Sequence, residues 1–197
     1  MIEYHISLHK IICCDKGVNK KKMKDLINSV FTNDIFVPAK TIIIAEGGFT
    51  DNLYLIKRGS VRGWYKNLSK EVTNSLLFEN NIFTSVESFM FNEPSIFNVE
   101  TIEDCEFSIC SKVDFDKYLN SHENIKDKFY QTFIKRILIY NKRIIDLLKI
   151  KPEERYKDLV LENPEIVNRV PLNIIASYLG ITSVSLSRIR SRQEEEN

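Results

Sequence analysis

The chain has 197 residues, 43% hydrophobic and 28% charged, and its 28 Lys and Arg against 27 Asp and Glu leave a formal charge of +1. That is the make-up of a water-soluble globular protein with one large domain or two modest ones. No apolar run approaches the ~20 residues of a bilayer span, and a net charge this small points to no nucleic-acid partner unless a local patch does.

The first ten residues mix charge and histidine with apolar side chains and lack a small-residue cleavage site, so no signal peptide and a cytoplasmic location are expected. Cys13, Cys14, Cys105 and Cys110 have neither disulfide-framework nor zinc-site spacing. Cys105 and Cys110 share a strand-like run at an odd offset, which places them on opposite faces. Burial as small apolar residues is the expected fate of the cysteines. Lys20, Lys21, Lys22 and Lys24 read as a solvated helix face. Met23, Leu26, Ile27, Val30 and Phe31 have the spacing of a helix that docks on the segment after it.

From about Ile35 to Ser111 the texture is short extended runs between turns. Strands are predicted at Thr41–Ala45, Leu53–Ile56, Val61–Tyr65, Val72–Phe78, Ile96–Ile102 and Cys105–Cys110. Gly47-Gly48, Arg58-Gly59, Glu79-Asn80-Asn81 and Asn92-Glu93-Pro94 supply the turns. Many short strands at this spacing predict an antiparallel sandwich or barrel. After Val113 the pattern turns helical, with Phe115, Tyr118 and Leu119 in a short helix and a long one from about Glu123 to Ile150. Tyr130, Phe133, Ile137, Tyr140, Ile144 and Leu147 alternate three and four apart along it, a coiled-coil-like seam. Ile134, Leu138, Ile145 and Leu148 make a second stripe. A surface helix needs one buried face; two stripes predict one against the barrel and one against a second copy.

Lys151-Pro152 breaks the long helix, and a shorter one runs over Glu153–Leu161 before Asn163-Pro164. The stretch Val170–Arg190 then reads as two helices around a tight turn. Pro171 suits a first helical position, and Ile174, Ile175, Tyr178 and Leu179 line one face. Gly180 can take the positive φ that ends a helix, and Thr182 can cap the next one. Leu186 and Ile189 turn inward. The other side carries Ser183, Val184, Ser185, Ser187, Arg188, Arg190 and Arg192. Between Ile166 and Gln193 there are four arginines and no acidic residue. Small hydroxyls and arginines on an exposed helix suit the major groove of double-stranded DNA. Arg188 is expected at a base, and Arg190, Arg192 and Arg169 at phosphates.

This order of parts resembles the Crp/Fnr family of bacterial transcription regulators, over about residues 24–192. "AEGGFTDNLYLIKRGSVRGWY" is similar to the family's opening strands and "ESFMFNEPSIFNVETIEDCEFSI" to the section around its ligand pocket. "KPEERYKDLVLENPEIVNRVPLNIIASYLGITSVSLSRIR" is the strongest likeness, particularly to members from Bacteroidetes-type bacteria. The resemblance implies an α+β protein: an N-terminal antiparallel β jelly roll of the cyclic-nucleotide-binding kind (residues 1–122), a long dimerisation helix (123–150) and a C-terminal helix-turn-helix domain (151–197). It also implies a homodimer that binds DNA through the second helix of the motif and acts on RNA polymerase.

The pocket departs from the family pattern. Members that bind cyclic AMP use Gly-Glu for the ribose and an Arg-Ser or Arg-Thr pair for the phosphate; here those positions are Thr84-Ser85 and Ser95-Ile96. Without the arginine a buried phosphate lacks its charge-assisted pair. Cyclic AMP binding by the usual mode is therefore not expected, and no other cofactor is implied. Thr84, Ser85, Glu87, Ser95 and Tyr140 are the side chains expected nearest any ligand in the roll. Val184 stands where many members carry a glutamate that accepts from cytosine, so a different operator is expected.

Two other readings compete. In one, the roll senses a ligand and acts through a protein partner without touching DNA; the basic second helix speaks against it. In the other, the jelly roll is a metalloenzyme. That needs histidine and carboxylate ligands on barrel strands, and no histidine lies between Lys10 and Ser121. The sequence shows no nucleophile–base pairing, and an enzyme is not expected.

Overall fold

The computed structural model describes residues 29–68 and 70–195. The strands are β1 Asn33–Val37, β2 Ile42–Ile44, β3 Asn52–Arg58, β4 Val61–Asn67, β5 Lys70–Leu77, β6 Ile82–Phe83, β7 Asn98–Thr101 and β8 Cys105–Ser111. Helix α1 (Val86–Phe91) falls between β6 and β7. After β8 come α2 (Lys112–Ser121), α3 (Glu123–Lys149), α4 (Pro152–Glu162), α5 (Ile166–Arg169), α6 (Leu172–Tyr178) and α7 (Ser183–Glu195). The six strand runs read from the sequence all appear, with shifted ends. Strand β1, two-residue β6, one-turn α5 and short α1 are additions, the last three too brief to show a period.

Two antiparallel four-stranded sheets form, ordered β1-β8-β3-β6 and β2-β7-β4-β5. This interleaving of early and late strands is that of a jelly roll. The predicted turns carry it: Gly47 and Gly59 have φ of +79° and +98°, and Asn80 and Asn92 take the left-handed region too. Gly59 is obligatory on two counts, since an added Cβ would also lie 2.7 Å from the Asp104 carbonyl oxygen. Between the sheets pack Ile44, Tyr54, Ile56, Val61, Phe83, Val99, Cys105 and Phe107. Tyr54 and Phe83 stack at 5.2 Å, with Phe107 edge-on to Phe83 at 5.7 Å.

The outer face of the first sheet has its own small core of Val30, Leu53, Phe89 and Cys110, flanked by Phe31, Phe115 and Tyr118. Cys105 and Cys110 thus fall on opposite faces, as their odd offset requires. Burial pushes the Cys105 thiol up to about 11 and the Cys110 thiol to about 12, so both stay protonated at neutral pH. The expected docking helix is met only at its end, by Val30 and Phe31. The readings for Lys20–Lys24, Met23, Leu26, Ile27, Cys13 and Cys14 lie outside the described residues.

The expectation that one stripe of α3 packs on the roll is not met. Ile134, Leu138 and Ile145 are exposed, and Leu148 is 83% exposed. Tyr130, Ile137, Tyr140, Ile144 and Leu147 of the other stripe are exposed too, between 37% and 58%; the Phe133 side chain lies outside the described set. The helix therefore presents apolar surface on two faces within one chain.

The last four helices do not form a separate core. Leu76 of β5 belongs to the same buried cluster as Tyr156, Leu159, Ile166, Val170, Ile174, Ile175, Leu179, Leu186 and Ile189, and Phe78 and Ile102 pack against it. Because β5 alternates, Leu77 faces the interior of the roll while Leu76 faces these helices. Among the described residues no single helix is long and apolar enough to cross a membrane.

Candidate nucleic-acid interface

Helices α6 and α7 meet at a bend of 100° across the four residues Leu179–Thr182, the angle and turn length of a helix-turn-helix. Pro171 takes the cap position ahead of α6, with φ −54° and ψ 140°, rather than the expected first helical position. Proline's fixed φ and missing N–H suit either place, and the ψ of 140° puts this one outside the helix as its cap. At the far end Gly180 has φ +69°. Its N–H donates to Ser177 O at 3.0 Å, and Ile181 N donates to Ala176 O at 3.0 Å, which closes the last carbonyls of α6. Thr182 Oγ1 then accepts from Ser185 N at 3.1 Å, a cap worth about 1 kcal/mol.

Leu186 and Ile189 anchor α7 in the shared core, at 0% and 5% exposure. Each such burial contributes roughly 1.5–3 kcal/mol. The opposite side is therefore held outward by packing, not by chance. Thr182, Ser183, Val184, Ser185, Ser187, Arg188 and Arg192 are exposed, and Arg190 is half-buried. The Arg188 guanidinium has no ion pair among the described residues. Glu165, one carboxylate that could have engaged it, instead reaches Arg169 at 3.6 Å.

Arg169 is where the structure departs from expectation. Read as a phosphate contact, it is instead committed to the roll: Nη2 lies 2.6 Å from both Glu79 Oε1 and Glu103 Oε1, and Nη1 3.1 Å from Glu79 Oε2. The guanidinium also stands 5.3 Å from the Phe78 ring. Burial pushes the Glu79 carboxyl up, but hydrogen bonds from Arg169 and from the Glu79 and Gly59 N–H groups outweigh it, leaving it below the ordinary 4.5.

Three more side chains tie α6 and the turn to the rest of the chain, and none carries a signal in the sequence. Ser177 Oγ donates to Glu71 O and accepts from Thr73 N, both at 2.9 Å, so it satisfies the open edge of β5. Arg143 of α3 donates to Tyr178 O at 2.9 Å and lies 3.7 Å from the Tyr178 ring, a close cation–π contact. Arg155 of α4 donates to Leu147, Ile150 and Leu179 carbonyls at 3.0, 2.7 and 2.7 Å.

Arg169→Ala is expected to strand Glu79 and Glu103 beside each other and to loosen α6 by about 2 kcal/mol, the worth of charged hydrogen bonds. Amide hydrogen exchange along α6 measures this, and unchanged protection would contradict it. The pH sign comes from Glu79. Its folded value is depressed, so its contribution is complete above about 4.5 and is lost as pH falls through the lower folded value. Protection of α6 should drop in acid for the wild type and much less for Arg169→Ala.

The residues expected around a ligand do not all come together. Ser85 is fully buried as the cap of α1, accepting from Ser88 N and donating to Glu87 Oε2 at 3.0 Å. Ser95 is buried, and its hydroxyl donates to Phe97 O at 2.7 Å. Thr84 donates to Asn52 O at 2.8 Å. Tyr140 is not with them; it lines a cleft between β5, α3, α4 and α6. Among the described residues no group of three or more His, Cys, Asp or Glu is arranged to hold a metal ion.

Residues 35–122 match the cyclic nucleotide-binding domain family. The fold is shared with solved structures over most of the chain. FixK2 from Bradyrhizobium japonicum superposes with a TM-score of 0.71 at 17% identity, over 83% of this chain and 85% of that one. CLP, a c-di-GMP responsive global regulator from Xanthomonas campestris, gives 0.64 at 12%, over 90% and 93%. The Thermus thermophilus catabolite activator protein gives 0.55 at 20%, over 92% and 86%. At these identities the likeness establishes the fold. No curated protein matches the chain by sequence.

Proposed function

We propose that this protein is a homodimeric, sequence-specific DNA-binding transcription regulator of the Crp/Fnr type, most like members from Bacteroidetes-type bacteria and acting in the cytoplasm. In this reading residues 1–122 form the effector domain, 123–150 the dimerisation helix and 151–197 the DNA-binding domain, with RNA polymerase as a further partner. The observation that carries it is the exposed face of α7. Ser183, Val184, Ser185, Ser187 and Arg188 stand in solvent opposite the anchored Leu186 and Ile189, and Arg188 is uncommitted among the described residues. Such a face can enter a major groove, read base edges through Arg188 and touch phosphates through Arg190 and Arg192. The fold shared with a catabolite activator and a global regulator supports the same reading. Selection of bound fragments from the source genome tests it: a pseudo-palindrome with half-sites about one DNA turn (~34 Å) apart is expected, and no enrichment over random DNA would refute it.

The roll is proposed to lack the usual cyclic AMP mode. Neither anchor position carries a charge, and the hydroxyls of Ser85 and Ser95 are already bonded internally. Cyclic AMP should bind no tighter than millimolar, and micromolar affinity in titration calorimetry would overturn this.

A further inference from the structure

The joint between the roll and the last helices encloses a cleft of about 420 Å³, within the range of small-molecule sites. It is lined from β5 and the turn after it, from α3, from α4 and from the end of α6. Phe78, Ile139 and Leu159 supply apolar lining. Both signs of charge contribute to the lining, Lys142, Arg143 and Arg155 with Asp146, Asp158 and Glu162. Two donors belonging to this lining, Arg155 Nε and Asn163 Nδ2, are buried with no hydrogen-bond partner among the described residues. Buried donors are paired in nearly all native structures, so an unpaired one asks for an acceptor. Both belong to residues of the lining, and because Arg155 Nη1 and Nη2 are held by the Leu147, Ile150 and Leu179 carbonyls, Nε is its remaining donor.

The chemistry of the lining selects the ligand. A nucleotide would set its phosphates against carboxylates on two helices. A purely apolar molecule would cover charged groups of both signs without pairing any of them. A zwitterion with an apolar side chain satisfies both signs and the apolar lining at once. We propose that this cleft is a binding site for a zwitterion of amino-acid or dipeptide size. Its carboxylate or carbonyl oxygen accepts from Asn163 and Arg155, and its ammonium pairs with Asp146 or Asp158. The site is distinct from the roll interior. Because its lining comes from all three parts of the chain, an occupant bears directly on how α6 is held. The proposal does not rest on DNA binding.

Titration calorimetry and thermal shift on the full-length protein test it, with leucine, phenylalanine and their dipeptides as probes and cyclic AMP as the comparator. At least one probe is expected to bind saturably below millimolar and to raise Tm, with cyclic AMP unable to compete. Asn163→Leu removes the amide at similar volume and should weaken that probe about tenfold or more. Ile139→Trp fills the cleft from α3 and should abolish binding, which keeps the test decisive if the first variant fails to fold by circular dichroism. Absence of saturable binding for every probe overturns the proposal, as does affinity that is the same in wild type and both variants.

Discussion

Ile137→Glu is expected to convert the protein from a dimer to a monomer at micromolar concentration. In the seam Tyr130, Phe133, Ile137, Tyr140, Ile144, Leu147 we propose a parallel two-fold pairing of α3 with its copy. Those of its side chains that are described are each more than a third exposed within one chain. A 27-residue helix with that much apolar surface in water is poorly stable alone. A two-fold axis along α3 places each Ile137 near its mate, so the substitution sets two like charges together in an apolar seam. The cost is several kcal/mol for each desolvated carboxylate, so a rise in dimer Kd of roughly a thousandfold or more is expected. Sedimentation equilibrium measures it, and a clean monomer mass for the wild type would sink the seam. The second stripe supplies the control. Leu148 is the most exposed large apolar side chain among those described on α3, and Leu148→Glu, off the seam, should leave the dimer largely intact.

The second large effect separates two roles on α7. Arg188→Ala should weaken operator binding and relax preference at one base pair in each half-site, a loss of ~1–3 kcal/mol of discrimination if the arginine meets guanine O6 and N7 in a bidentate pair. Arg192→Ala, toward the end of the helix, should weaken operator and scrambled DNA alike and lower the salt slope by about one phosphate contact per subunit. Both variants, measured on both DNAs at two salt concentrations, give the answer. An unchanged specificity ratio for Arg188→Ala would remove it as a base reader. Arg169 belongs to neither class. With its guanidinium held by Glu79 and Glu103, its replacement should act on DNA through the seating of α6, and the change should track the loss of α6 protection.

The readings that the structure supports rest on local chemistry. Gly59, Asn80, Asn92 and Gly180 adopt positive φ, and each was legible because few residues tolerate that region. The strand runs were legible because β-branched and aromatic residues alternate between such turns. Leu186 and Ile189 could be assigned inward and Arg188 outward from helical spacing alone. The cap at Thr182 was legible from a hydroxyl three residues before the N–H it accepts from.

What only the tertiary structure decided concerns partners distant in the chain. Nothing near Arg169 predicts that Glu79, 90 residues away, and Glu103, 66 away, converge on it; an arginine beside a basic helix carries the same local signal whether it meets a phosphate or a carboxylate. Ser177 shows no mark of its bonds to Glu71 and Thr73, because the open edge of β5 exists only once the sheet is ordered. Helical periodicity identified two apolar stripes on α3 but could not say what meets them. An apolar stripe expresses a preference to leave water, which the roll, a second copy or a partner satisfies equally well. For the same reason Tyr140 could be placed on the seam but not kept from the residues expected at the pocket. Its position in the cleft beside β5, away from Ser85 and Ser95, depends on how α3 crosses the roll, and that is set by contacts between segments that have no common period.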